Sequence, residues 1–205
     1  GEGLCAAVEQ RRGVRPRFHA CDVRDIRAHT SVMRQVGPVR VLINNAARDD
    51  RHTLGSLDVE GWEDSLNTNL RPYFFTAKAV AADMRAAGGG SIINLGSNSA
   101  NLGLAGYPAY VTAKAGIVGL TKALARELGE EGIRVNALVP GWVMTERQRA
   151  LWVTPDALAA CLAEQCLKTA IQGSDIAHAA LFLASRASAL MTGQTLIVDG
   201  GRALP

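Results

Sequence analysis

Tyr110 and Lys114 stand four residues apart at the head of a long segment whose apolar residues recur at helical spacing, and Ser97 lies thirteen residues upstream, just beyond a strand-like run at 91–95. Four residues make about one helical turn, so the spacing predicts a phenol and an ammonium on one helix face, with a hydroxyl delivered from a strand's end. A tyrosine with an ordinary pKa of about 10 is a poor base at neutral pH until something favours its phenolate. A lysine one turn along does so electrostatically, and a bound cationic nicotinamide would add to it. With Ser97 holding a substrate oxygen and Tyr110 moving its proton, the set suits hydride transfer between a hydroxyl-bearing carbon and a nicotinamide. Each residue alone has a plainer role. A Tyr-x-x-x-Lys pair is commonly a surface helix pair, Ser97 a loop hydroxyl or cap, and Asn45 and Asn69 partners for backbone groups in turns.

The elements that must position these groups alternate along the chain. The pattern predicts the end of a helix at 4–12, a strand at 16–20, a helix at 25–36 and a short buried strand at 39–43. A helix across 61–87, broken or capped near Asn69 and Pro72, leads into the strand at 91–95. A helix at 109–129 carries Ile117, Leu120, Leu124 and Leu128 at helical spacing and is stopped by Gly129 and Gly132. A strand at 134–138 follows, then two short helices within 145–168, a helix at 174–184 and a last strand at 195–198. Near-continuous apolar strands between helices predict an α/β fold, a doubly wound parallel sheet covered on both faces. No composition break marks a second domain. Ligands of such sheets bind outside the carboxyl ends of the strands, where Asn44, Asn45, Ala46, Ala47, Ser97, Pro140, Gly141 and Trp142 are expected.

Composition narrows the alternatives. The 205 residues suffice for one ordinary domain, and 48% hydrophobic residues with 21 glycines describe a globular chain with close contacts. The net charge of +3 is mild, and the cluster Arg11, Arg12, Arg15 and Arg17 lacks interleaved aromatics, so no nucleic-acid partner is expected. Cys5, Cys21, Cys161 and Cys166 form no CxxC pair and share no metal-ligand spacing with the histidines, so reduced thiols and no metal are expected. Neither a bilayer-length apolar run nor a charged leader is present, and a soluble cytoplasmic protein is expected.

These motifs resemble the short-chain dehydrogenases/reductases. The likeness rests on Asn44-Asn45-Ala46-Ala47, Asn67-Thr68-Asn69, Ser97, Tyr110-Val111-Thr112-Ala113-Lys114, Arg134-Val135-Asn136-Ala137, Pro140-Gly141 and Asp199-Gly200-Gly201, in the family's order across almost the whole chain. It implies a Rossmann-like fold and an NAD- or NADP-dependent oxidoreductase, NAD being favoured. It also implies that Asn69 holds a water in a proton relay to Lys114, and that Lys114 reaches the nicotinamide ribose. Asp22 and Val23 would border the adenine, and Asn45, Ala46 and Ala47 the adjacent ribose region. Pro140, Gly141, Val143 and Thr145 would meet the nicotinamide side. The family usually has glycine where this chain has Ala47, a substitution small enough to be accommodated. Similar enzymes associate through the helices here at 61–87 and 109–129, which implies a homodimer or homotetramer.

A narrower resemblance, carried by 45–52, 140–148 and Gln165-Cys166-Leu167, is to sugar 1-dehydrogenases that oxidise an aldose's anomeric hydroxyl to a lactone. A polyol needs several hydrogen bonds and a ring face to pack on, which Ser97, Asn98, Asn101, Trp142, Arg147 and Gln148 are placed to supply. Segment 145–168 is expected to cover the substrate. The family's opening Thr-Gly-x-x-x-Gly-x-Gly turn, whose backbone meets a pyrophosphate, does not occur in these residues. By the family's pattern about forty residues, with two strands and the residue that selects NAD or NADP, are missing ahead of this chain. The expectation is therefore one N-terminally incomplete domain, 1–205, with the strand at 39–43 open along one edge. A nonenzymatic structural or regulatory protein on the same fold, or a reductase of another carbonyl substrate, are the alternative readings.

Overall fold

A computed structural model describes residues 1–204. Four parallel strands, β1 (Val41–Asn44), β2 (Gly90–Leu95), β3 (Ile133–Pro140) and β4 (Thr195–Val198), lie side by side in chain order. Val41 is level with Ser91, Gly90 with Ile133, and Ala137 with Thr195. Parallel neighbours require a crossover between them, and helices supply each one. Helices α1 (Glu2–Arg12) and α2 (Ile26–Val36) precede β1; α3 (Val59–Asn69) and α4 (Arg71–Ala86) join β1 to β2. Helices α5 (Asn98–Leu102) and α6 (Pro108–Leu128) join β2 to β3, and α7 (Glu146–Leu151), α8 (Pro155–Glu164) and α9 (Gly173–Ala184) join β3 to β4.

Alternation along each strand divides the core. Ile92 and Val135 face α4 and α6, packing with Leu42, Val80, Met84 and Leu124. Ile93 and Leu138 face α9 and pack on Leu183, with Ile176, Leu196 and Val198 against them. Burial on both faces explains why β2 and β3 carry consecutive apolar residues, Ile92-Ile93 and Leu138-Val139, rather than a strict alternation. A polar ladder crosses the sheet inside this core: Thr76 donates to Asn44, Asn44 to Asn94, and Asn94 to Thr121, at 2.7, 2.9 and 3.0 Å. Each buried amide is thereby satisfied, and the motif Asn44 proves to be a fastener between β1, β2, α4 and α6.

The break expected near Asn69 and Pro72 in the helix across 61–87 divides it into two helices, α3 and α4. They meet at Leu70, whose backbone (φ −131°, ψ −55°) leaves helical geometry just before the Pro72 ring, which has no N–H to donate. Residues 16–20, expected as a strand, form none. A strand exists through its neighbour's hydrogen bonds, and among the described residues no strand runs beside this segment. Helix α5 was not anticipated. Ser97 starts it by accepting the Ser99 N–H, and Gly103 ends it in a left-handed conformation at φ 59°. β1 borders the sheet, and Val41 and Ile43 on it are exposed.

Candidate active site

The carboxyl ends of β1, β2 and β3 open onto one cleft of about 510 Å3. Ser97 stands at its floor as the N-cap of α5, its hydroxyl 2.8 Å from that of Ser99. Tyr110 and Lys114 come from the first two turns of α6. That helix begins with Pro108 at N1 and receives no cap from Tyr107, the residue before it. His52 serves instead, accepting the Ala109 N–H on Nε2 at 3.1 Å while its Nδ1 faces the Asp50 carbonyl at 3.1 Å. Accepting on Nε2 requires the neutral ring protonated on Nδ1, so the loop after β1 locks the start of the helix that bears Tyr110.

Lys114 is buried to 2% exposure, and its Nζ donates to the Leu95 carbonyl at 2.8 Å and to the Tyr73 hydroxyl at 3.2 Å. Its Nζ lies 5.6 Å from the centre of the Tyr110 ring. Burial pushes the ammonium's pKa down to about 7. Burial likewise pushes the Tyr110 phenol up to about 12, a shift opposed by the Ser97 hydroxyl and reinforced by the Asp49 carboxylate. In the site as it stands, then, desolvation keeps Tyr110 a neutral phenol, and additional positive charge beside it would be needed to release its proton near neutral pH.

The rim is polar. Trp142 donates its indole N–H to Gln148 Oε1 at 2.8 Å, and Gln148 Nε2 donates to Asp49 at 2.8 Å. Arg147 reaches the same carboxylate at 3.3 Å. The Arg51 guanidinium lies 3.9 Å over the Tyr107 ring and 4.8 Å from that of Trp152. Two independent sets of contacts thus tie α7 and the residue after it to the loop following β1, across the cleft mouth. Beyond them, Ala157, Ala160 and Cys161 of α8 form part of the wall.

Of the residues singled out in the sequence, Asn45, Ala47, Ser97, Asn98, Tyr110, Lys114, Pro140, Gly141, Trp142, Val143, Thr145, Arg147 and Gln148 line this cleft. Asn98 does so with its amide bonded to Asp199 at 3.2 Å. Asn69 does not: it is buried behind Arg48, accepting that residue's N–H at 2.8 Å and donating to its carbonyl at 3.0 Å, which clips the loop in place. Asn101 is exposed and outside the lining. Ala46 contributes a carbonyl 3.4 Å from the Tyr73 hydroxyl rather than a wall. Asp22 and Val23 lie outside the cleft, Asp22 beside Arg24, whose hydrogen bonds hold its carboxyl down at about 2. Sequence reasoning passed over Asp49, Arg51, Tyr107 and Tyr73. The run of charges at 48–52 signalled the first two, whereas Tyr73 sits in an aromatic run that reads as core.

The strand-end ledge fits a nicotinamide cofactor. Lys114 has three N–H groups and two acceptors, leaving one donor for a ribose hydroxyl. Asn45 and Ala47 would flank the ribose, with Pro140, Gly141, Val143 and Thr145 along the ring side. Gly141 itself admits no side chain, since a Cβ there would meet Asp199 Cα at 2.8 Å and Ile171 Cδ1 at 2.7 Å. We expect Gly141→Ala to destabilise by about 1–3 kcal/mol through overpacking. Calorimetry should register a fall in Tm of roughly 2–10 °C.

The parallel sheet, the strand-end cleft and the Ser97, Tyr110 and Lys114 side chains meeting in it define a nicotinamide-dependent oxidoreductase fold, and the chain belongs to the short-chain dehydrogenase/reductase family. The family model described as enoyl-(acyl carrier protein) reductase matches residues 2–203. The chain is 48% identical over 202 residues to the probable galactose dehydrogenase GalD of Rhizobium meliloti (strain 1021), covering 97% of this chain and 79% of that protein. It is 46% identical over 186 residues to a D-xylose 1-dehydrogenase of Caulobacter vibrioides, covering 91% and 75%. A gluconate 5-dehydrogenase from Burkholderia cenocepacia J2315, solved in complex with NADP and tartrate, superposes with a TM-score of 0.90 at 30% identity, over 98% of this chain and 80% of that one. The protein is thus an NAD(P)-dependent oxidoreductase with a small-molecule substrate. No helix among the described residues is long and apolar enough to cross a membrane.

Proposed function

We propose that this protein is an aldose 1-dehydrogenase, oxidising the anomeric hydroxyl of a sugar to a lactone. The observation that carries the reading is a proton-transfer pair, Tyr110 and Lys114, opening into a cleft whose opposite rim is built of Asp49, Arg51, Trp142, Arg147 and Gln148. Hydroxyls along a sugar ring can exchange hydrogen bonds with this polar rim, whose groups bond one another through Trp142, Gln148, Asp49 and Arg147, whereas an acyl chain offers them no partner. The dehydrogenases of galactose and xylose among its relatives support the same substrate class.

Ser97 holds the anomeric oxygen, and Tyr110 takes its proton as the carbon gives up hydride. Lys114 supplies the positive charge that favours the phenolate. A nicotinamide cofactor, NAD or NADP, supplies the hydride acceptor when bound. Trp142, Arg147, Gln148 and Asn98 contact the sugar, joined by Asp49, while Asn69 holds the loop that carries Asp49. Asp22 and Val23 serve the adenine end. Residues 1–205 act as one domain, and segment 145–168 covers the substrate. Exposed Trp62 and Phe74 on α3 and α4 support association of those helices into a homodimer or homotetramer. The four free cysteines support a cytoplasmic location.

A panel of aldoses with NAD and NADP, followed by reduced-nicotinamide absorbance, tests the reading. Oxidation of at least one pentose or hexose, with the lactone as product, is expected. Cofactor binding with no aldose oxidised would reject the sugar substrate, and no cofactor binding would favour a nonenzymatic role.

A further inference from the structure

Tyr73 is among the largest fully buried side chains of the protein, at 1% exposure, and its ring fills space that a phenylalanine would fill as well. Its hydroxyl is what sets it apart. That oxygen lies 3.2 Å from Lys114 Nζ, 3.2 Å from the Leu95 carbonyl and 3.4 Å from the Ala46 carbonyl. An ammonium can only donate and a carbonyl can only accept, so every bond direction is determined: the phenol oxygen accepts from Lys114 and donates its own O–H to a carbonyl. Leu95 accepts from Lys114 too, at 2.8 Å, closing a triangle. We propose that Tyr73 is a positioning residue that keeps Lys114 charged and in place beside Tyr110, acting as a permanent neutral acceptor for its ammonium.

The surroundings leave that task to Tyr73 and a backbone carbonyl. The Lys114 Nζ lies between two phenols, 5.3 Å from the ring centre of Tyr73 on α4 and 5.6 Å from that of Tyr110 on its own helix. Tyr107, before the start of α6, packs against Tyr110 with ring centres 5.4 Å apart and the planes tilted, and is engaged by Arg51. From the loop after β1, Asp49 disfavours the Tyr110 phenolate and Arg51 favours it, and Arg147 of α7 is paired with Asp49. From the end of β2, Ser97 favours the phenolate. Among the described residues no carboxylate bonds Lys114, so its charge rests on two neutral acceptors. Tyr73 can serve as one at every working pH because burial raises its own ionisation far above the ordinary phenol range. The two phenols near one ammonium therefore have separate tasks: Tyr110 exchanges the reaction's proton, and Tyr73 never ionises.

The inference rests on the dehydrogenase reading, yet it can be tested apart from it. In protein labelled with 15N-lysine, NMR follows the Lys114 ammonium as a function of pH. Tyr73→Phe keeps the ring and removes one acceptor, so the Lys114 midpoint should fall by about one pH unit. With an aldose substrate, the acid limb of the oxidation rate profile should move to higher pH, because less Lys114 charge is available to favour the Tyr110 phenolate. The fall in kcat at neutral pH should be about threefold to tenfold, with KM for the sugar changed less than about twofold. Tyr73→Leu, which also removes the ring, should lower Tm further but displace the Lys114 midpoint no more than Tyr73→Phe does. A midpoint in Tyr73→Phe that coincides with that of the unaltered protein would overturn the proposal. A displaced midpoint in a protein that oxidises no aldose would support Tyr73's role while rejecting the sugar reading.

Discussion

Tyr110→Phe is expected to reduce turnover by a factor of about 10^3 or more, because it removes the one group placed to exchange a proton with a substrate oxygen held by Ser97. A thousandfold loss corresponds to about 4 kcal/mol of transition-state stabilisation, more than packing changes from one missing oxygen would produce. Stability should hardly change. The phenol is buried with Ser97 as its side-chain hydrogen-bond partner, and the ring stays in place beside that of Tyr107 under Phe. Affinity for the cofactor should be preserved for the same reason. An ultraviolet titration adds a second readout. Burial holds this phenol at about 12, above the ordinary range. Its contribution to stability is therefore present below pH 10 and is lost as pH rises toward 12, with the deprotonation signal late in the curve. The variant should lack that late signal. Turnover within about tenfold of the unaltered protein would reject Tyr110 as the proton carrier.

Why this pair was legible in the sequence while its surroundings were not has a physical answer. An i, i+4 spacing on a helix fixes a distance through local geometry alone, so Tyr110 and Lys114 needed only a correct helix. Ser97 needed only a correct strand end. Tyr73 reaches Lys114 from another helix, forty-one residues away in the chain, and nothing in Pro72-Tyr73-Phe74-Phe75 marks one aromatic hydroxyl as partnered and its neighbours as packing. Asn69 shows the converse. Its place in a recognisable motif implied a water held in a relay to Lys114, and the motif gave no sign that both ends of its side-chain amide engage Arg48. The segment at 16–20 has, among the described residues, no strand beside it. Pairing partners are a property of the tertiary arrangement, which periodicity cannot register. Among the described residues β2 and β3 find cover on both faces while β1 leaves Val41 and Ile43 exposed, and the predicted bounds of all four strands came within a few residues of the observed ones.

Lys114→Met carries the second large effect, and the two halves of that effect have opposite signs. Turnover should fall about 10^3-fold or more, since Tyr110 loses the only nearby charge from its own helix that favours its phenolate. Stability should rise. In the unfolded chain this amine keeps its proton up to about pH 10.4, whereas burial in the native state releases it near pH 7. Between those values the unfolded chain binds the extra proton, so native stability increases with pH across this window. Below it the fold holds a buried ammonium and bears the whole penalty. Methionine has similar length and no charge, and its thioether suits the apolar contacts of the lysine stem. At pH 6 the variant should therefore gain on the order of 2–4 kcal/mol, a rise in Tm of roughly 5–10 °C, with the advantage shrinking toward pH 10. Thermal melts of both proteins at pH 6, 8 and about 10 measure this directly. An equal or lower Tm for the methionine variant at pH 6 would mean that the Leu95 carbonyl and Tyr73 hydroxyl fully offset the desolvation of the charge. A protein that keeps a destabilising ammonium under its sheet's edge, where a methionine would fit, keeps it for what the charge does to Tyr110.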